Sequence, residues 1–351
     1  MTEEVDVVTR EFVIRKHIRR KYRCTCGCLE SADMPKRLVP GGRYSNELAV
    51  EIATMKYVDQ LPLERIVKIF KRDGLVIDSQ TLWDQVHALA NILKPTWQRL
   101  RDEILKSSVI GMDQSPWKVL GHDKTWQMWT LATTKLCWFD ICETKGTVDG
   151  VRVLSSFNGT VIGDAATTHD ALAKALPITL AHCWAHVLRA AEQIEVAHPI
   201  QAAKILGFIR KLYDVDDEAG DDDDNRRALR DTKSRALIKE FYAWRLEQHP
   251  LPSSPLAKLL GYIDRHKVGL TRFLDDVAVP LDNNQSERGY GWVAVGRRSF
   301  FGSRSKRGTE AAAIFYSLAE SARRCSVEPR AWFSSALAAL DGAAVKLPHE
   351  L

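Results

Sequence analysis

The sequence predicts a mixed α/β core with a helical domain ahead of it and a helical insertion within it. Three observations carry this reading. Between Ser107 and Cys183, short runs rich in aromatic and β-branched residues alternate with segments of helical spacing. From Ser45 to about Leu105, and again from Trp184 to about Asp276, the apolar period is helical. A chain of 351 residues also has room for about two domains.

Residues 9–23, TREFVIRKHIRRKYR, hold Glu11 as their only acid. Read at period two, Arg15, His17, Arg19, Lys21 and Arg23 share one face, while Phe12, Ile14, Ile18 and Tyr22 share the other, interrupted by Lys16 and Arg20. This predicts an extended ribbon. Its cationic face is either a DNA contact, through Arg19 and Lys21, or a solvated edge strand whose charge discourages aggregation. Cys24, Cys26 and Cys28 follow with single-residue spacers. Structural zinc takes four ligands in pairs separated by two to four residues, so no complete site is expected within this chain alone. The cluster reads as a zinc-ribbon remnant, or as half a site completed by another chain. These features define a first segment, 1–44.

In the second segment, 45–107, Ser45 caps a helix striped by Leu48, Ile52 and Met55. Pro62 opens a second helix carrying Ile66, Ile69 and Phe70, and Gly74 breaks it. Asp78 or Ser79 caps a third, bearing Leu82, Val86 and Leu89. Two short helices joined by a Gly-containing turn resemble a helix-turn-helix. Ser79, Gln80 and Thr81 would then lie where a recognition helix meets base edges. A helical bundle with no DNA contact shows the same pattern.

Val109–Asp113 is an apolar run ending in a carboxylate, and Thr160–Asp164 is another. Between them come the strands Trp126–Thr133 and Leu136–Cys142, then helical spacing at Val148, Val151, Leu154 and Phe157. A helix over Asp170–Leu176 and a strand over Ile178–His182 complete the order. The first three strands are expected to be antiparallel and the later ones parallel. This is the first core segment, 108–198. The helical insertion, 199–280, contains the acidic stretch Asp214–Asp224, expected as a surface loop because it lacks the ligand alternation of a calcium site. Helices over Asp282–Arg298 and Gly308–Arg324 mark a second core segment, 281–325, before the tail, 326–351.

Composition narrows the function classes. Hydrophobic residues at 45% and charged residues at 27% exclude a collagen, a coiled-coil rod and a mainly disordered chain. No stretch approaches the ~18–20 apolar residues of a membrane span, and the start lacks the order of a signal peptide. Seven cysteines, three of them clustered, point to a reducing cytoplasm and away from a secreted disulfide scaffold. The net charge of +5 is a mild basic excess whose distribution matters more than its size.

Asp113 and Asp164 are the candidates for chemistry. The first and fourth strands of such a fold can lie side by side and bring the two carboxylates together. At about 4 Å and an effective dielectric near 20 they would repel by roughly 4 kcal/mol, which a divalent cation would offset. The third element is Asp282-Asn283-Asn284-Gln285-Ser286-Glu287-Arg288, where Asp282 or Asn283 can cap a helix containing Glu287. Gly291 and Ala294 share the face of Glu287, and their small side chains are expected to let that helix press against the sheet. Arg288, Arg297, Arg298, Arg304, Lys306 and Arg307 form a second basic concentration, interleaved with Trp292, Phe300 and Phe301. Cations beside acids suit a polyanion approaching a metal. The aromatics either stack on unpaired bases or belong to the core.

These residues resemble the insertion-sequence-66 family of transposases, which are Asp-Asp-Glu recombinases with an RNase H-like catalytic core. The resemblance is carried by Asp113 in GMDQSPWKVL, Asp164 in VIGDAATTHDAL, Cys183-Trp184-Ala185-His186, and DNNQSERGYGWVAVGRRSFF. AAAIFYSLAE and VEPRAWF fit the family's C-terminal pattern. The sequence departs from that pattern at Gln114 and Ser115, at Ala165, Ala166 and His169, and in having no counterpart of the family's N-terminal portion.

The resemblance implies that Asp113, Asp164 and Glu287 are catalytic and hold two Mg²⁺ ions, for which Mn²⁺ can substitute. It implies Mg-dependent hydrolysis at transposon ends, followed by attack of the freed 3′-hydroxyl on target DNA. The partners would be double-stranded DNA at both substrates, further copies of the chain in a synaptic complex, and accessory proteins of the same element. The location would be the cytoplasm of a bacterium, at the nucleoid, with no membrane partner. His186, Asn283 and Asn284 are expected near the site, with Cys183 and Trp184 in packing roles. Two alternatives stand beside this: a truncated, non-catalytic DNA-binding remnant, and a stand-alone RNase H-like nuclease.

Overall fold

A computed structural model describes residues 3–5, 10–164 and 167–351. Thr9 of the basic ribbon, and Ala165 and Ala166, lie outside the described residues. In chain order the elements are β1 (Lys21–Arg23), β2 (Leu29–Ser31), α1 (Asn46–Tyr57), α2 (Leu63–Arg72), α3 (Ser79–Ile104), β3 (Val109–Trp117), β4 (Trp126–Ala132) and β5 (Cys137–Cys142). There follow α4 (Thr147–Val153), β6 (Thr160–Gly163), α5 (Thr167–Ala175), β7 (Thr179–His182), α6 (Trp184–Gln193), α7 (Pro199–Ala219), α8 (Asp223–Leu229) and α9 (Arg235–Leu246). The last are α10 (Pro255–Arg265), α11 (Lys267–Thr271), α12 (Asn284–Phe300), α13 (Lys306–Arg324) and α14 (Pro329–Ala336). The chain divides into two compact units, 1–97 with 295–351, and 98–294.

The first unit is built around α13, whose residues from Thr309 to Ala322 are nearly all buried. Tyr57 at the end of α1 stacks on Phe315 at 4.8 Å and meets Tyr316 edge-on at 5.4 Å. Buried polar groups find partners here, as burial requires: the Tyr316 hydroxyl donates to Gln60 Oε1 at 2.9 Å, and the Trp97 indole donates to Ser317 Oγ at 3.2 Å. The stripes expected on the early helices are seated: Ile52, Met55, Ile66, Phe70, Leu82, Val86 and Leu89 are buried. Gly74 follows α2 at φ +91°, a left-handed stop that glycine adopts without strain. The helix after it runs for 26 residues and is not short.

The expected ribbon over 9–23 is corrected. Of its described residues, only Lys21–Arg23 form a strand, paired antiparallel with Leu29–Ser31 and exposed on both sides. Nothing in so small a hairpin covers a longer strand, so the rest stays irregular. Cys24, Cys26 and Cys28 make its turn, with the Cys24 amide donating to the Cys28 carbonyl at 2.8 Å.

The second unit holds a five-stranded sheet in the order β5-β4-β3-β6-β7. β3, β4 and β5 are antiparallel, whereas β6 and β7 run parallel to β3. The expected strand directions and the adjacency of first and fourth strands are therefore both observed. β3 does not stop at Asp113, however, because pairing with β4 continues to Trp117↔Trp126. Asp113 sits where β3 loses its parallel neighbour, not at the strand's end.

After β7 the chain is helical, around Trp184, Phe208 and Phe241. The Trp184 indole lies edge-on to Phe208 at 5.4 Å and donates to the Leu270 carbonyl at 2.8 Å. The acidic stretch is another correction. Asp214–Ala219 complete α7, Gly220 breaks the helix at φ +60°, and Asp222 caps α8. It is helical because buried Val215 and Ala219 continue the apolar stripe of α7, and the turn between them presents Asp216. Its two oxygens accept from Arg230 at 2.8 and 2.5 Å, and that guanidinium is almost fully buried and also donates to the Phe273 and Val279 carbonyls.

Candidate active site

Strand register brings the first two carboxylates to one level. β3 pairs with β6 as Val109↔Thr160, Ile110↔Val161 and Gly111↔Ile162. The same 51-residue offset carries Asp113 onto Asp164, two residues beyond the last pair. Neighbouring strands lie about 4.8 Å apart, so the two acids project from adjacent tracks.

Gly111 explains how the third arrives. Residues two apart point to the same face of a strand, so Gly111 lies on the Asp113 face. A β-carbon on Gly111 would collide with Ser286 Oγ and Asn283 Oδ1. The start of α12 therefore rests directly on β3. Asn283, almost completely buried, donates from Nδ2 to the Met112 carbonyl at 2.9 Å and accepts from Ser286 Oγ at 2.8 Å. Its amide donates to Cys183 Sγ at 3.2 Å. Asp282 accepts from the Asn284 amide at 2.9 Å, from Asn284 Nδ2 at 2.6 Å and from the Tyr213 hydroxyl at 2.9 Å. Glu287 follows in the first turn. The small-residue expectation is corrected: Gly291 is exposed with open space around it, and the close approach is made at Asn283 and Ser286. Tyr290 further anchors the helix by donating to the Met128 carbonyl at 3.0 Å.

Asp164 and Glu287 both act on Asp113. Asp113 is pushed up to about 7, first by burial and then by the nearby Asp164 and Glu287, against the pull of the Gln114 amide and of Arg189. The Gln114 amide donates to Asp113 Oδ1 at 2.7 Å. Glu287 is held by Arg189 in a two-pronged ion pair, Nη1 to Oε2 at 2.9 Å and Nη2 to Oε1 at 2.8 Å. His186 Nδ1 lies 3.9 Å from Glu287 Oε1 and has no hydrogen-bond partner among the described residues. Burial pushes its pKa down, Arg189 adding to that effect. Asp164 is steadied by His169, a buried ring whose Nδ1 contacts the Asp164 carbonyl and lies 3.3 Å from Oδ1. Among the described residues, the acids and ligating groups whose donor atoms all fall within 4.8 Å are Cys183, His186 and Glu287, not the three carboxylates. A cavity of about 500 Å³ opens beside Asp164 and His186, with Lys258 and Tyr262 in its wall.

His182 lies at the end of β7, packed edge-on to His266 at 4.8 Å and pushed down to about 4 chiefly by burial. It does not share a helical face with His186. Cys183 precedes α6, and burial pushes its thiol up to about 11.

The remaining expected residues are dispersed. Arg288 is exposed beside Glu287, in the second unit. In the first unit, Arg297 and Arg298 end α12, while Arg304, Lys306 and Arg307 are exposed before and at the start of α13. Ser79, Gln80 and Thr81 open α3, where Asp78 accepts from the Thr81 amide at 2.6 Å and Gln80 donates to Asp84 at 2.8 Å. Arg19 and Lys21 are exposed on the hairpin, Arg19 donating to the Ala32 carbonyl at 3.1 Å. Phe301 is 65% exposed and is no core residue. Sequence reasoning missed Arg189 and the support from His169. A signal for Arg189 was present: Cys183, His186 and Arg189 recur at three-residue steps, near one face of α6.

Residues 41–311 match a family described as the Transposase IS66 family. Similar proteins include three uncharacterised proteins of Sinorhizobium fredii. The protein y4jD is 27% identical over 362 residues, covering 96% of this chain and 71% of the relative. The protein y4hP is 24% identical, covering 100% and 69%, and y4qI is 25% identical, covering 96% and 67%. No helix among the described residues is long and apolar enough to cross a membrane.

Proposed function

The chain belongs to the IS66 family of transposases, and from that premise we propose that the second unit is an RNase H-like catalytic core with Asp113, Asp164 and Glu287 as its acids. The observation that supports the proposal is the register of β3 on β6, whose offset continued by two residues brings Asp113 level with Asp164, with the start of α12 resting on β3 at Gly111. The proposed reaction is hydrolysis of a phosphodiester at the transposon end, followed by attack of the freed 3′-hydroxyl on target DNA.

The acids fit a hard divalent cation. Asp113 holds its proton to about 7 because burial and two neighbouring carboxylates leave too little positive charge around it. An all-oxygen donor set suits Mg²⁺ or Mn²⁺. When bound, such ions would supply Lewis-acid stabilisation and a nucleophile at neutral pH. Asp113 and Asp164 would hold them, and Glu287 would join once its oxygens leave Arg189. Arg189, released, is a fork suited to a phosphate oxygen. Asn283 and Ser286 fix the helix start, and His169 fixes Asp164.

In the first unit, α2 and α3 would act as a helix-turn-helix, with Ser79, Gln80 and Thr81 toward bases. Arg19, Lys21, Arg297, Arg298, Arg304, Lys306 and Arg307 would contact phosphates. At Arg304, Lys306 and Arg307 the positive end of the α13 dipole would add to the same field. Synapsis by further copies, accessory proteins and a nucleoid location in the bacterial cytoplasm belong to the same proposal.

The Arg189–Glu287 pair favours a second reading, DNA binding without cleavage. End-labelled transposon-end DNA incubated with and without Mg²⁺ separates the two. Cleavage that needs Mg²⁺ and vanishes in Asp113→Asn supports the first; salt-sensitive binding without any cleavage supports the second. Strand joining in the same assay distinguishes a transposase from a stand-alone nuclease.

A further inference from the structure

We propose that a cavity in the first unit, walled by the end of α1, the start of α3 and the α12–α13 link, receives an unpaired nucleotide of single-stranded DNA. It measures about 500 Å³, within the range of small-ligand sites. Trp83, Phe300 and Phe301 supply aromatic surface, and Lys56 and Arg304 supply charge. Ser79 and Gln80, at the helix start already singled out for DNA contact, line the same space.

Lys56 is the observation that points to an anion. Its ammonium lies 3.9 Å from the centre of the Phe300 ring and 5.3 Å from that of Tyr57. Among the described residues it has no ion pair and no hydrogen bond. Glu64, the acid in the lining, does not pair with it. Burial alone pushes Lys56 down to about 8, with no carboxylate pulling it back. A cation placed this way gains most from an incoming phosphate.

Phe301 points to a base. It is 65% exposed, and its backbone sits at φ +58°, followed by Gly302 at +93°. A bulky residue in the left-handed region is uncommon, and here it holds an aromatic ring in solvent at the cavity's rim. Aromatic faces beside unpaired cations fit sequence-tolerant stacking of single-stranded bases. The inference uses the DNA partnership of the family and needs none of the catalytic account.

The test is fluorescence anisotropy of labelled oligothymidylate and of a blunt duplex, on the full chain, with EDTA present so that metal chemistry plays no part. Lys56→Met keeps the apolar stem, and Phe301→Ala removes an exposed ring. Thermal melting checks that both variants fold. Each variant is expected to weaken oligothymidylate binding by about fivefold or more, the loss of one stacked base or its phosphate, and to leave blunt-duplex binding within about twofold. Unchanged oligothymidylate binding, or equal losses on both probes, overturns the proposal. Free thymidine monophosphate separates a strand from a loose nucleotide: displacement of oligothymidylate by the monophosphate at concentrations near the oligonucleotide's own Kd would overturn the strand assignment.

Discussion

In the second unit Asp164, Glu287 and Arg189 all act on Asp113; around Lys56 the first unit holds a cation that no acid pairs among the described residues. Both regions keep charge against burial, and both pKa values move toward neutrality, Asp113 up to about 7 and Lys56 down to about 8. The cause is shared, since desolvation disfavours the charged form of either sign. The difference lies in what relieves each. On the proposed reading a divalent cation would ease the acids and a phosphate would ease the lysine, and a DNA backbone with its metal ions carries both. A fold serving stability alone would supply partners from within, as it does for Arg230 and Asp216.

The contrast breaks most visibly at the acids. Asp113→Asn and Glu287→Gln should each lower Mg-dependent cleavage by about 10³-fold or more, since a metal clamp contributes several kcal/mol. Near-normal rates in gel-resolved cleavage would remove these residues from the chemistry. Gly111→Ala should destabilise the protein by about 1–3 kcal/mol in urea unfolding, because its methyl group meets Ser286 and Asn283. An unchanged midpoint would mean that α12 does not rest on β3. Arg189→Gln frees both Glu287 oxygens and should tighten Mg²⁺ binding without DNA by roughly tenfold in calorimetry. No change would show that the ion pair does not compete with metal.

The smallest effects sharpen the mirror relation. Asp113 has a folded pKa above its ordinary value, so wild type loses stability as pH rises from about 4 to about 7. Asp113→Asn escapes that loss and should melt higher than wild type at pH 8 but not at pH 4. Lys56 has a folded pKa below its ordinary value, so wild type gains stability from about pH 8 toward 10.4. Lys56→Met should therefore melt higher at pH 7, by a margin that narrows above pH 8. Parallel curves for either variant and wild type would contradict the corresponding burial account.

Much of the acidic region was legible because it is written in local chemistry. An apolar run ending in a carboxylate, twice, with the intervening strands in the right order, led to the adjacency of β3 and β6. The DNNQSER stretch announced a capped helix. What sequence could not give was the choice among neighbouring small residues: Gly291 and Gly111 look alike in one dimension, yet only Gly111 faces the helix start. Arg189 was missed because its partner lies 98 residues away. Lys56 was missed because burial of one lysine on α1 is decided by Phe300, far along the chain. The acidic stretch misled because Asp216 reads as solvated until Arg230 is seen beside it.

Anomalous diffraction from crystals equilibrated with Mn²⁺ tests the central claim most directly. The account predicts a peak coordinated by the Asp113 and Asp164 carboxylates, with Glu287 turned from Arg189 toward it. An ordered site with no peak there, or manganese held instead by Cys183 and His186, would contradict it.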